Sequence, residues 1–175
     1  MAQSVILSTM VVTPEFRAPQ TDLGTALRMA WWSYVRRIDM DMEAAGFPER
    51  SYSMNYVFAL YAQPGPITIS EMGRLFAITR QAASKVVGEL RDRGYVRATA
   101  SATDQREKVV ELTPKALEFM TARLGAAAAL DDAIREHIGD AGLHKLHSGL
   151  AAIGEIAMGT TELDPVNVYR SPKLW

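Results

Sequence analysis

The amino-acid sequence predicts a mainly α-helical protein with a small β wing. Apolar residues recur at helical spacing in the segments before and after the middle of the chain. Two runs near the middle, 95–99 and 108–112, instead alternate apolar and polar residues as half-buried strands do. A short helix, a tight turn and a second helix are predicted directly before these runs, between residues 70 and 93.

The composition is that of a compact globular protein. The chain has 175 residues, of which 48% are hydrophobic and 22% charged, with a net charge of −1. It contains no cysteine, which excludes disulfides and thiolate metal sites. No apolar run is long enough to span a membrane, and no cation precedes Arg17 as a signal peptide would require. A cytoplasmic location is therefore expected.

The first predicted element is a long helix. Thr21 is expected to cap it, and it should run to about Ala45 and end at Gly46. A second helix is predicted over about 52–62, before the breaker sequence 63–66. The apolar face of the first helix comprises Leu23, Leu27, Ala30, Trp31, Tyr34 and Ile38.

The next two helices form the predicted helix-turn-helix. Ser70 is expected to cap a short helix that ends near Phe76. Thr79 is expected to cap the following helix, which should run to about Arg93 with Gly94 as its terminating residue. The core-facing positions of this second helix are Ala83, Val86, Val87 and Leu90.

The outer face of the same helix has the composition of a nucleic-acid-reading surface. It carries no carboxylate before Glu89. Glutamine, lysine and arginine side chains can contact purine edges, whereas serine and threonine suit phosphates. Gly88 weakens a helix, and close approach of DNA or of a neighbouring helix would explain it. The other outward positions are Arg80, Gln81, Ser84 and Lys85.

The hairpin follows at once. Its connecting segment, 100–107, is small and polar, and Asp104 suits a turn. Arg106 lies near the tip, where its guanidinium could enter a minor groove or bind a phosphate. Asp104 could hold that guanidinium, or the two could form an ordinary surface salt bridge.

Charge is distributed unevenly along the chain. Residues 68–98 contain six cations against three acids, a net charge of +3. From residue 114 onward, six cations face eight acids, a net charge of −2. A basic segment attached to an acidic body is the asymmetry expected for DNA recognition.

These segments resemble the winged helix-turn-helix of the MarR (multiple antibiotic resistance regulator) family. The resemblance implies a winged helix-turn-helix over 51–113 and dimerisation helices at 21–46 and 114–159. The sequence departs from the family pattern at 98–99, where arginines are common in relatives, and at Ala116, where glycine is common. The matching stretches are Ile69-Ser70-Glu71-Met72, Thr79-Arg80-Gln81, Leu90, Arg93-Gly94-Tyr95-Val96, and Asp104-Gln105-Arg106 through Val110, Leu112 and Thr113-Pro114.

The resemblance implies a sequence-specific, double-stranded DNA-binding transcriptional regulator. We expect a ligand-responsive repressor that binds a pseudo-palindromic operator as a homodimer, with half-sites about 10 bp apart. The alternative is a winged-helix adaptor that binds protein and does not read DNA, since the wing is less basic than in relatives. The expected DNA-binding residues are Ser70, Arg74, Thr79, Arg80, Gln81, Ser84, Lys85, Asp104, Arg106 and Lys108.

The C-terminal third is predicted to be helical. Thr113-Pro114 forms a cap followed by proline at the first helical position, and 139–142 should break the helix near Ile138. The last helix carries a seam of Leu143, Leu146, Leu150 and Ile153. Such a seam is more often core than interface, but the resemblance implies dimerisation. The arms at 1–20 and 160–175 should pack on the body or on a partner subunit.

Ligand, metal and catalytic sites are less visible. Many relatives bind aromatic or phenolic acids between the dimer helices and the DNA-binding lobe, and Arg36 or Arg37 could hold such a carboxylate. The alternative is a core aromatic cluster. No cofactor or metal is expected. A zinc site would need three or four convergent ligands, for which His137, Asp140, His144 and His147 are the candidates, but His144 and His147 are interpreted as polar flankers of the Leu143/Leu146 seam. The absence of catalytic motifs argues against an enzyme. The candidate ligand-binding residues are Trp31, Trp32, Tyr34 and Tyr56.

Overall fold

The computed structural model describes residues 22–49, 53–101 and 107–159. Within these ranges the fold is mainly α-helical with a small antiparallel sheet, which confirms the predicted fold class. Helix boundaries lie within a few residues of those expected. The elements in chain order are α1 Leu23–Ala44, α2 Met54–Tyr61, β1 Ile67–Thr68, α3 Ile69–Leu75, α4 Arg80–Asp92, β2 Val96–Ala100, β3 Lys108–Leu112 and α5 Pro114–Met158.

The sheet has three strands rather than the predicted two. Its order is β1-β3-β2, and both neighbours pair antiparallel with β3. The additional strand β1 has two residues, with Ile67 opposite Val110 and Thr68 opposite Val109. Two residues are too few to show an alternating pattern, so the sequence could not reveal this strand.

Helix α3 starts earlier than predicted, and Thr68 rather than Ser70 caps it. The Thr68 Oγ1 atom accepts from the Glu71 backbone N–H at 3.1 Å, and the Glu71 carboxylate accepts from the Thr68 N–H at 2.7 Å. This capping box satisfies two backbone donors reciprocally. The hydrogen bond from the Thr68 N–H holds the pKa of the Glu71 carboxyl below its ordinary value.

Helix α4 has both of its predicted ends. Thr79 is the N-cap, and its Oγ1 atom accepts from the Ala82 N–H at 3.1 Å. At the other end Gly94 has a φ of +80°, a conformation that glycine adopts without strain. The N–H of Gly94 donates to the Arg91 carbonyl and that of Tyr95 to the Leu90 carbonyl, which is the Schellman pattern.

The core lies between α4, the sheet, α2, α3 and the start of α5. The predicted inner face of α4 is confirmed, with Val86 only half-buried and the other three positions buried. Leu90 and Tyr95 are fully buried. The remaining buried apolar residues of this core include Val57, Leu60, Met72, Phe76, Val96, Val110, Phe119 and Met120.

Helix α1 packs on this core through its C-terminal half. Its buried residues are Ile38 and Met42, whereas Leu23 is 59% exposed. The predicted face is therefore buried at one end only. The N-cap is Asp22, whose Oδ1 accepts from the Thr25 N–H at 3.0 Å, while the expected cap Thr21 lies outside the described residues.

Helix α5 is interrupted where the sequence predicted a break. Gly139 has φ 73° and ψ 164°, which divides the helix into 114–138 and 140–158. The segment 140–158 is largely exposed, including Leu146 and Leu150 of the predicted seam. No helix within the described ranges is long and apolar enough to cross a membrane.

Candidate nucleic-acid interface

The crossing of α3 and α4 depends on a glycine that sequence reasoning did not single out. A Cβ atom at Gly73 would lie 3.1 Å from the Ile78 carbonyl oxygen, so the two helices approach closely there. The connecting turn places Ala77 at φ 46°, in the left-handed region. The glycine and the turn together set the angle at which α4 leaves α3.

The outer face of α4 presents the expected side chains to solvent. Arg80, Gln81, Ser84 and Lys85 are all exposed, whereas Ala83, Val87 and Leu90 are buried. Thr79 is exposed as well, with its hydroxyl oxygen used in the cap. The structure thus brings five of the expected DNA-binding residues onto one surface, which we call the α4 face.

The first carboxylate of α4 is engaged elsewhere. Glu89 accepts from the Ser53 hydroxyl at 3.0 Å and forms an ion pair with Arg93 at 2.9 Å. Its charge is therefore partly neutralised at the far end of the helix. Gly88 has no neighbouring atom within 4 Å of a would-be Cβ, so no helix in the described part of the chain explains that glycine.

The expected DNA-binding residues on α3 differ in their surroundings. Arg74 is exposed in the last turn of the helix. Ser70 is half-buried and donates from its Oγ to Glu107 Oε1 at 2.6 Å. Its hydroxyl hydrogen is therefore committed within the protein, and the role expected for Ser70 as a cap is wrong.

The wing is described only at its base. Lys108 is exposed at the start of β3, opposite Ala100. The Ser101 N–H donates to the Glu107 carbonyl at 2.9 Å, which closes the loop that leaves β2 and returns to β3. Asp104 and Arg106 lie in 102–106, outside the described residues.

Glu107 is a residue that sequence reasoning missed. Besides its bond to Ser70, its Oε1 atom lies 3.8 Å from Arg80 Nη2. The carboxylate thus connects the base of the wing to both helices of the helix-turn-helix. The available sequence signal was an acidic residue next to Arg106 in an otherwise basic region.

The four candidate ligand-binding aromatics do not come together within one chain. Trp31 and Trp32 are 67% and 65% exposed, so the alternative of a core aromatic cluster is wrong for both. Tyr34 donates to Asp131 at 2.9 Å, and burial followed by this hydrogen bond raises its pKa. Tyr56 is buried against Phe76, with ring centroids 4.6 Å apart. The tryptophans lie beyond the part of α1 that packs on the core.

A cavity of about 260 Å³ lies instead between α1, α2 and α5. Arg123 sits over the Phe58 ring at 5.2 Å and lies 3.9 Å from Asp39 Oδ1. Phe119 forms edge-on contacts with Phe47 and Phe58, each with centroids 5.7 Å apart. The lining comprises Val35, Asp39, Met42, Phe47, Glu49, Met54, Asn55, Phe58, Phe119 and Arg123.

Glu49 connects this cavity to the C-terminal end of α4 and to the residue before β2. Its Oε1 atom lies 3.3 Å from Lys115 Nζ, which also donates to the Arg93 carbonyl at 2.9 Å and lies 4.4 Å above the Tyr95 ring. Burial, followed by the Glu49 carboxylate, raises the pKa of the Tyr95 hydroxyl. Within the described ranges, no three His, Cys, Asp or Glu side chains converge as metal ligands would.

Comparison with known proteins places this geometry in context. The sequence profile of the MarR family matches residues 53–107, which run from the start of α2 to the base of the wing. Comparison with curated protein sequences gave no significant match.

Solved structures share the fold. A probable transcriptional regulator from Pseudomonas aeruginosa is 23% identical, with a TM-score of 0.54 over 77% of this chain and 98% of its own. The transcriptional repressor CouR bound to a 23-mer DNA duplex is 24% identical, with a TM-score of 0.55 over 77% of this chain and 94% of its own. The Staphylococcus aureus MepR–DNA complex is 16% identical, with a TM-score of 0.62 over 77% and 99%.

Proposed function

We propose that this chain, whose residues 53–107 match the MarR family, is a homodimeric transcriptional repressor that reads a pseudo-palindromic operator in double-stranded DNA. In this proposal α4 enters the major groove, and the wing, with Arg106 near its tip, contacts the neighbouring backbone or minor groove. The similar folds of CouR and MepR, both solved with DNA, support the choice of DNA as partner.

The α4 face is the observation that carries this proposal. Its exposed side chains combine two cations with a glutamine and a serine, and include no carboxylate. The cap at Thr79, the Schellman motif at Gly94 and the buried opposite face hold the helix in one orientation. Gln81, Ser84 and Lys85 face solvent and can contact base edges and phosphates, whereas Arg80 must leave Glu107 to do so.

The homodimer is supported by apolar surface that one chain leaves uncovered. The N-terminal half of α1 exposes Trp31 and Trp32, and the segment 140–158 exposes Leu146, Leu150 and Ile156. Large apolar side chains in such number on two helices are typical of a surface that a partner covers. We propose that a second copy covers them, so that 21–46 and 114–159 form the dimerisation region.

We expect Lys85→Ala to weaken duplex binding through a lost phosphate contact. The slope of log affinity against log salt concentration should become shallower by about 1.8, which is about 0.9 for the one phosphate that each subunit of the dimer loses on B-DNA. The measurement is a fluorescence-anisotropy titration, at several salt concentrations, of a duplex that the wild type selects from a random library. Lys145→Ala, which removes an exposed cation from α5, is the control and should leave the slope unchanged.

The same titration separates this function from the adaptor alternative. An adaptor would bind duplexes weakly, and Lys85→Ala and Lys145→Ala would have equal effects. The exposed cations of the α4 face favour the DNA-reading function, whereas the cross-strand pairing of Arg97 with Glu111 leaves the wing less basic than its sequence suggests.

We further propose that the cavity between α1, α2 and α5 binds a small aromatic effector. Its volume of about 260 Å³ suits a single-ring molecule, and three phenylalanine rings line it. The lining itself presents two carboxylates, Asp39 and Glu49, and one guanidinium, that of Arg123. Lys115, which pairs with Glu49 from outside the lining, neutralises part of this excess of negative charge. This excess favours a neutral or cationic ring over an aromatic acid.

We therefore expect benzamidine to raise the melting temperature of the protein, and to release the protein from DNA, at a lower concentration than benzoate does. Phenol should act at an intermediate concentration. Asp39→Asn should weaken the benzamidine effect because it removes a lining carboxylate. Asp41→Asn is the matched control, since Asp41 pairs with Arg37 on the same helix and does not line the cavity. A stronger effect of benzoate would contradict the proposed charge preference.

A further inference from the structure

The Glu107 carboxylate connects the wing, α3 and α4, which are the three parts of the proposed DNA-reading surface. Glu107 stands where the wing loop returns to β3, and its carbonyl accepts from the Ser101 N–H at 2.9 Å. Its side chain turns back toward the helix-turn-helix, where Ser70 of α3 donates to Oε1 at 2.6 Å. The same oxygen lies 3.8 Å from Nη2 of Arg80, the first residue of α4.

The two ends of this ion pair differ in exposure. The Glu107 side chain is 25% exposed, whereas that of Arg80 is 62% exposed. The carboxylate is therefore anchored at the protein surface by Ser70, and the guanidinium reaches it from the α4 face. At 3.8 Å the contact is an ion pair rather than a hydrogen bond, and it offsets part of the positive charge that a DNA phosphate would otherwise meet at Arg80.

We propose that Glu107 is a positioning residue for DNA recognition, which holds the base of the wing against α3 and α4 and competes with phosphates for Arg80. The inference rests on the proposed DNA-reading function. Because Glu107 occupies the guanidinium, an arbitrary phosphate gains little from meeting Arg80. A specific DNA site contacts the whole α4 face at once, and it can therefore still draw Arg80 from Glu107 to the DNA. Glu107 thus lowers non-specific binding more than specific binding.

The position of Arg80 strengthens the effect. Arg80 is the first residue of α4, where the helix N-terminus adds positive potential to that of the guanidinium. This end of the helix would attract any phosphate in the absence of a nearby anion. Glu107 is the acidic side chain that the structure places against it.

Glu107→Gln tests the proposal because glutamine keeps an acceptor for Ser70 while removing the charge. We expect non-specific duplex affinity to rise by about three- to tenfold, and the salt slope to steepen by about 1.8, which is about 0.9 for the Arg80 of each subunit. The ratio of specific to non-specific affinity should fall. In a protein that already carries Arg80→Ala, Glu107→Gln should cause none of these changes, because the guanidinium for which Glu107 and phosphates compete is then absent. Ser70→Ala, which removes the hydrogen bond alone, is the control for the anchoring role.

The readouts are anisotropy titrations of the selected duplex and of a scrambled duplex across salt concentrations, with the melting temperature as a check on folding. An unchanged slope and ratio in Glu107→Gln, with wild-type binding intact, would overturn the role of Glu107 alone. The role of Glu107 would also be overturned if Glu107→Gln changed the salt slope and the affinity ratio equally in the wild type and in the Arg80→Ala variant. Absence of salt-dependent duplex binding by the wild type would overturn both this inference and the proposed function.

Discussion

The double substitution Leu146→Asp/Leu150→Asp is expected to produce a monomer that no longer binds a specific DNA site. Both leucines lie on the exposed segment 140–158 of α5, at 46% and 44% exposure, in the face we assign to the dimer. Two carboxylates there would lose their hydration if a second copy docked, at a cost of several kcal/mol for each unpaired charge. Dimerisation through this face would therefore fail.

The loss of DNA binding follows from the loss of two-fold symmetry. A pseudo-palindromic site is read by two recognition helices at once, and a monomer contacts one half. Affinity should fall to the non-specific level, a decrease of at least about a thousandfold. Light scattering coupled to gel filtration measures the mass, and anisotropy titration of the selected duplex measures the affinity.

A charge-matched control lies on the same helix. His144→Asp/Ser148→Asp places two carboxylates at the same spacing, but about 200° around the helix from the seam. This variant should stay dimeric and bind DNA. A dimeric Leu146→Asp/Leu150→Asp protein, or a monomeric wild type with full specific binding, would refute the assignment of the dimer face.

Phe119→Ala is expected to cost about 3–5 kcal/mol of folding free energy. Phe119 is 4% exposed and forms edge-on contacts with Phe47, Phe58 and Tyr95, the last at a centroid distance of 5.5 Å. These rings come from the segment after α1, from α2 and from the residue before β2. One side chain of α5 thus packs against all three, and its truncation leaves a cavity that they cannot all collapse to fill.

Urea denaturation followed by circular dichroism, at fixed protein concentration, measures this change. Leu117→Ala is the control, because Leu117 lies two positions earlier on α5 and is 48% exposed. That variant should change stability by about 0.5 kcal/mol or less. Similar losses in the two variants would mean that Phe119 does not hold these elements together.

Some elements followed from short-range sequence features. Thr79 and Gly94 bracket α4, and the apolar residues between them recur with the helical period, so the ends and the buried face of α4 could be predicted. The break at Gly139 and the proline start of α5 were predictable for the same reason. In each case the information lies within a few residues of the feature.

The start of α3 shows where short-range information was insufficient. Thr68 and Ser70 are both acceptable caps, and the sequence does not choose between them. Thr68 pairs with Val109 in the sheet, which keeps its backbone extended and lets the helix begin at Ile69. A contact with a strand about forty positions away therefore decided the cap.

The sequence by itself determined the succession of helices, the β2–β3 hairpin and the chemistry of the α4 face, because all three depend on residues close together in the chain. The tertiary structure decided that Ser70 bonds Glu107, 37 positions away, rather than capping a helix. It also placed the cavity beside Phe58 and Arg123 and left Trp31 and Trp32 uncovered by the described part of their own chain. These outcomes depend on where each helix packs on the core, and the period of a helix shows which face is apolar but not how far along its length that face is covered.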